Sequence, residues 1–154
     1  MGTKAMASSG DLSSIGTFER FLASNDSLWV YEGSKLLFRS TASGILPLIQ
    51  YVKKRKRTRA EVIIFDRILG NAAALLAVKG GCRVAYSPIG SQLAINTLER
   101  YYVVHHITTI VPYIRQTTID EMCPMERLSV GKDPETFYMA VKNLARSRLH
   151  VTTT

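Results

Sequence analysis

The chain is short of the residues that staple secreted domains and build metal centres: 154 residues include two cysteines, Cys82 and Cys123, and three histidines. Two thiols cannot form a disulfide framework, so a reducing compartment is expected, cytoplasmic or, given the basic cluster described below, nuclear. Neither cysteine has a C-x-x-C partner or a companion histidine at ligand spacing, so no metal and no cofactor are expected. Long apolar runs are missing as well. Val62 to Phe65 and Ala72 to Val78 fall far short of the ~20 residues that span a bilayer, which excludes a membrane partner of the helical kind. The first residues carry no apolar h-region of a secretory signal, and Met6 stands where myristoylation after Met1-Gly2 wants Ser or Thr. Lys4 precedes the first acid, Asp11, which keeps a transit peptide as a minor alternative. There is no internal repeat and no low-complexity segment.

What remains is the composition of one soluble α/β domain. The expected organisation is a flexible tail over 1–13 and a single domain over 14–150. Ser14 is expected to cap a short helix whose apolar side carries Ile15, Phe18, Phe21 and Leu22. Leu28-Trp29-Val30-Tyr31 and Leu36-Leu37-Phe38 are β-rich and flank Glu32-Gly33-Ser34-Lys35, an antiparallel hairpin signal. A helix follows Ser43-Gly44, with Ile45, Leu48, Ile49 and Val52 on one face and Pro47 in its first turn. Val62-Ile63-Ile64-Phe65 is apolar without alternation, as in a strand covered on both faces. Asn71 to Val78 reads as an Ala-rich helix stopped by Gly80-Gly81. Arg83 to Tyr86 reads as a strand, Ser91 caps a helix through Tyr102, and Ile107 to Val111 reads as the last strand. Pro124 opens a short turn of helix, and Asp133-Pro134 starts the final helix, with Phe137, Ala140, Val141 and Leu144 on its apolar face. The economical arrangement is a three-layer αβα fold around a mixed five-stranded sheet, with helices on both faces.

Ser43-Gly44-Ile45-Leu46-Pro47-Leu48, the run Asp66 to Leu75 (with Gly70-Asn71-Ala72-Ala73-Ala74), Tyr113 and Met122-Cys123-Pro124-Met125-Glu126-Arg127-Leu128 carry a resemblance. Over Phe18 to Leu144 the chain resembles domain-of-unknown-function family 1893 of the cytidine-deaminase-like superfamily. Zinc deaminases place H-x-E at the start of the helix after the hairpin and P-C-x-x-C at the start of the next. Here those positions read Thr41-Ala42-Ser43-Gly44 and Leu69-Gly70-Asn71-Ala72-Ala73, with no ligand at either. The resemblance therefore implies the fold without the zinc reaction; because the superfamily often assembles, it also implies a homo-oligomer.

Three functional readings follow. In the first, a small anionic or nucleotide-like metabolite binds outside the carboxyl end of the central strand, at the N-terminus of the helix that begins near Gly70-Asn71. Thr41, Ser43, Gly44, Asp66, Arg67, Gly70, Asn71 and Ala72 are its candidate residues; the plainer alternative makes Asn71 an N-cap and Asp66–Arg67 a loop ion pair. In the second, Cys123 is a nucleophile at a helix start, with Glu126 three residues on as in a capping box, and His105 or His106 as base if the fold brings one near. The alternative is a half-buried turn thiol; Cys82 is expected in the core. In the third, Lys53, Lys54, Arg55, Lys56, Arg57 and Arg59, the densest part of a formal charge of +8, bind nucleic acid weakly, act as a localisation signal, or merely solvate a helix end.

Overall fold

A computed structural model of the chain describes residues 9–56, 60–116 and 121–152. The order is α1 (Ser9–Ala23), β1 (Leu28–Glu32), β2 (Lys35–Ser40), α2 (Leu46–Lys54), β3 (Val62–Asp66), α3 (Asn71–Lys79), β4 (Cys82–Ser91), α4 (Gln92–Arg100), β5 (Val104–Val111), α5 (Pro124–Ser129) and α6 (Pro134–Thr152). The strands form one sheet ordered β2-β1-β3-β4-β5. β1 pairs antiparallel with β2 and β3, whereas β3–β4 and β4–β5 are parallel. The mixed five-stranded α/β architecture read from the sequence is the one observed. Gly33, at φ +59, makes the tight turn of the β1–β2 hairpin that a Cβ would resist.

Alternation along β1, β3 and β4 divides the sheet into two faces. Leu28, Val30, Val62, Ile64 and Ala85 pack with residues of α2, α3, α4 and α6 in the main core. Trp29, Tyr31, Ile63, Phe65, Val84 and Tyr86 face the other way, where, among the described residues, α1 covers them through Phe18 and Phe21. Helices thus lie on both faces, as expected, but unequally. β3, β4 and β5 advance in one direction across the sheet, so their right-handed crossovers put α3 and α4 on the same side.

Helix α3 lies close to the sheet because it is narrow: Asn71 to Ala77 are all buried, four of them alanine. Around α1 the core is aromatic, with Phe65 and Tyr86 stacked at 5.0 Å and Phe21 edge-on to Trp29 at 5.3 Å. Three local expectations change. α1 begins at Ser9, so Ser14 is not its N-cap. Its covered side is Thr17, Phe18 and Phe21, while Ile15 and Leu22 are exposed. And β4 runs on through Pro88 and Gly90 to Ser91. Past Tyr86 the neighbouring β3 has ended, so a proline is tolerated there as on an edge. Leu69 then closes the gap, accepting from Ser91 N–H at 3.1 Å and donating to Ile89 O at 2.9 Å.

Candidate functional site

Three sequence-distant segments meet beyond the carboxyl end of β3. The loop before α2 (Thr41, Ser43, Gly44, Ile45), the β3–α3 turn (Asp66 to Ala73), and Ile114 to Gln116 together with Cys123 to Glu126 line a cavity of about 560 Å³. Open α/β sheets place ligands at this end. The walls are largely apolar, from Ile45, Ile68, Ile114 and Met125, with Asp66, Arg115, Gln116, Thr41, Ser43 and Cys123 as the polar points. Of the expected ligand-binding residues, Thr41, Ser43, Gly44, Asp66, Arg67, Gly70 and Ala72 line this cavity, and Cys123 and Glu126 do too. Thr41 to Gly44 precede α2 instead of forming its first turn, and Gly44 takes φ +77 to redirect the chain.

The start of α3 is not the open anion site the sequence suggested. The N-cap residue is Gly70, which has no side chain to cap with. The Glu126 carboxylate takes that role from α5, fifty-five residues away: Oε1 accepts the Asn71 N–H and Oε2 accepts the Ile114 N–H at 2.6 Å. Glu126 is only 2 % exposed. A buried carboxylate at a helix N-terminus is favoured by the dipole and by the charge-assisted hydrogen bonds it receives. Gly70 is needed for this approach, since a Cβ there would stand 3.1 Å from Glu126 Oε1 and 2.9 Å from Ile114 Cγ1. The capping box expected between Cys123 and Glu126 does not form, because both carboxylate oxygens serve other backbone groups.

Asn71 is corrected in both of its readings. It is neither the N-cap nor a wall of the cavity. Its side chain is buried, donates to Ser129 Oγ at 2.9 Å, and accepts from the Thr97 hydroxyl, tying α3 to α4 and α5. Arg67 is corrected too. It does not pair with Asp66; its guanidinium donates to the carbonyls of Phe21, Leu22, Ser24 and Asp26 and lies over the Phe21 ring. Four of its five N–H groups are thereby spent on the end of α1.

Among the described residues Asp66 forms no ion pair. Burial pushes its carboxyl up from the ordinary range to about 7, opposed by hydrogen bonds from the backbone N–H groups of Ile68 and Arg67. A carboxyl in that range can exchange a proton near neutrality, the property wanted of a general acid or base. Cys123, half-buried, lines the same cavity. The histidines lie elsewhere: His105 contacts Glu99 at 3.4 Å and His106 stacks on Tyr86 at 4.6 Å. Neither serves the thiol. Cys82 is in the core as expected, its thiol pushed up to about 12 by burial.

The residues at the two helix starts where a zinc deaminase would carry its ligands do not fit a zinc centre. The first position offers two hydroxyls and a glycine, and at the second the Glu126 carboxylate is committed to backbone donors. Among the described residues no group of three His, Cys, Asp or Glu side chains could hold a metal ion, nor is any helix long and apolar enough to cross a membrane.

The basic cluster lies away from the cavity, at the end of α2. Lys53, Lys54 and Lys56 are exposed, while Arg55 is half-buried and donates to Lys79 O at 3.3 Å, closing the end of α3. Arg57 and Arg59 lie outside the described residues.

No curated protein matches this chain. Among solved structures, the crystal structure of a DUF1893 family protein (TM1506) from Thermotoga maritima superposes with a TM-score of 0.74 at 23% identity. The match covers 87% of this chain and 88% of that one, a likeness of fold. Residues 17–144 match the family model described as domain of unknown function DUF1893 (TM1506), and the chain belongs to that family.

Proposed function

We propose that this chain is a metal-free member of the cytidine-deaminase-like fold that binds a small, nucleotide-like metabolite in the cavity beyond β3. The observation that carries the reading is the convergence of residues 41–45, 66–73, 114–116 and 123–126 on one cavity of about 560 Å³, the size of a small-molecule site. The hairpin followed by alternating helices and parallel strands supports the superfamily part. Ile45, Ile68, Ile114 and Met125 would hold a flat, weakly polar ring, with Asp66, Thr41 and Ser43 as its hydrogen-bonding partners. A phosphate is disfavoured at Asn71, where Glu126 already sits. It would instead meet Arg115 and the first-turn N–H groups of Ala72 and Ala73.

Cys123 supplies the test. It lines the cavity, and Cys82 is buried with a thiol too basic to compete. Iodoacetamide should therefore label Cys123 alone near neutral pH, and a nucleoside or nucleoside monophosphate in the cavity should slow that labelling while raising the melting temperature. Free labelling of Cys123 that no compound of such a panel slows, with no shift in melting, would overturn the proposal.

A further inference from the structure

The two edges of the sheet are not alike. The β2 edge is guarded: the strand carries Lys35 and Arg39, both exposed, and its pairing with β1 is broken by a bulge at Val30/Tyr31. The β5 edge has none of these devices. Its eight residues, Val104–Val111, include no proline, lysine, arginine or carboxylate, and they keep one constant register with β4. The uncharged stretch extends from Tyr101 to Tyr113 in a chain of formal charge +8. α1 stops short of this strand, so Val104, His106, Thr108 and Ile110 stand exposed on that face, the two apolar ones at 54% and 55%. A long, straight, uncharged edge of β-branched residues invites another strand.

We infer that β5 pairs antiparallel with β5 of a second copy of this chain, joining two five-stranded sheets into one of ten strands across a two-fold axis at Ile107. The residues themselves choose this occupant. An antiparallel two-fold keeps each face continuous only if paired residue numbers sum to an even number. With the axis at Ile107, exposed Val104 meets exposed Ile110 of the second copy, twice, and His106 meets Thr108. With the axis at Thr108, Ile110 would face His106 and Val104 would face Pro112. Only the first register matches apolar with apolar. Charge argues the same way: two strongly basic copies approach at low electrostatic cost along an edge strand that carries no Lys or Arg, whereas a nucleic acid or acidic peptide would go to the basic end of α2. The interface is small. Eight residues a side, about 27 Å of strand, is well under the 20 to 30 residues a side of a standard complex. The dimer therefore forms reversibly in the micromolar range and is not a condition of folding.

The test is mass against concentration. Sedimentation equilibrium from low micromolar to millimolar chain should move from one chain of 17.1 kDa toward two. Ile110→Lys sets a charge against Val104 of the second copy and should hold the mass at one chain throughout, with an unchanged circular dichroism spectrum. Register is read by mixing His106→Cys chains with Thr108→Cys chains, both in a Cys123→Ser background. Oxidation should cross-link the mixture well above either alone. A single-chain mass at every concentration would overturn the inference. So would a dimer that survives Ile110→Lys, or a dimer whose mixed chains cross-link no better than the separate ones.

Discussion

Replacing Asp66 by asparagine should stabilise the protein increasingly as pH rises from about 4 to 7, and by a constant amount above that. Asp66 closes β3 against the cavity and forms no ion pair among the described residues, Arg67 being engaged with the end of α1. Its carboxyl is raised from 3.8 to about 7 by burial. A carboxyl with a raised folded-state value contributes stability that is fully present below its unfolded value and lost as pH rises through the folded one. Between those limits the folded chain holds a proton that the unfolded chain has released, so stability falls by about 1.4 kcal/mol per pH unit from this group alone. The whole shift corresponds to about 4 kcal/mol; partial access of solvent through the cavity reduces the expectation to about 2–4 kcal/mol. The substituted asparagine keeps the shape and an oxygen for the Ile68 N–H, but has no proton to lose. Urea unfolding of both proteins from pH 4.5 to 8.5 isolates the effect, since every other titrating group cancels in the difference. The two curves should meet near the acid end, diverge through pH 5 to 7, and run parallel above pH 8 with Asp66→Asn the more stable. Profiles that stay parallel across the range would refute the claim that Asp66 is a desolvated, unpaired carboxyl.

Three further outcomes follow from the same contacts. Glu126→Gln puts an amide N–H₂ against one of the two backbone donors that the carboxylate now satisfies, and should cost about 2–4 kcal/mol in urea unfolding; a loss under ~0.5 kcal/mol would mean the α3 N-terminus has another partner. Arg67→Lys leaves one ammonium to serve four carbonyls and should cost about 1–3 kcal/mol, with hydrogen exchange accelerated first at the end of α1. Neutralising Lys53, Lys54 and Lys56 together should leave stability within about 0.5 kcal/mol, since all three are exposed; any RNA affinity of the wild type that it abolishes, with a salt slope to match, would assign that surface to nucleic acid.

The parts of this fold that were legible in the sequence are those fixed by neighbours along the chain. The Gly33-Ser34 hairpin, the Ser91 cap, which accepts the Ala94 N–H at 3.1 Å, and the Asp133 cap, which accepts the Thr136 N–H at 2.7 Å, are short-range events. The misjudged parts depend on what lies across the sheet. Pro88 and Gly90 look like strand breakers until one knows that β3 has ended beside them. Ile15 and Leu22 look as apolar as Phe18 and Phe21, but only one α1 face meets the aromatic residues of β3 and β4. The division of helices between faces depends on strand order, which no local pattern records.

The site shows the same limit in a more consequential form. Gly70-Asn71 read as an open helix N-terminus because nothing nearby in the chain could fill it. One signal was present: a helix that starts after glycine, with no Ser, Thr or Asp at its N-cap, needs a capping group from elsewhere. Glu126 is that group, and the sequence could place it near Cys123 but not against α3. Once it is there, the chemistry of the cavity is redistributed. The helix dipole is already answered by an internal carboxylate, Arg67 is consumed by α1, and Asn71 faces the core. Of the polar residues expected around α3, only Asp66 still faces the cavity with its charge unanswered. A ligand of the proposed kind would meet Asp66 in one of two ways, by donating a hydrogen bond to the carboxylate or by accepting one from the acid. The side chain most worth changing first is the one whose proton decides between those two modes.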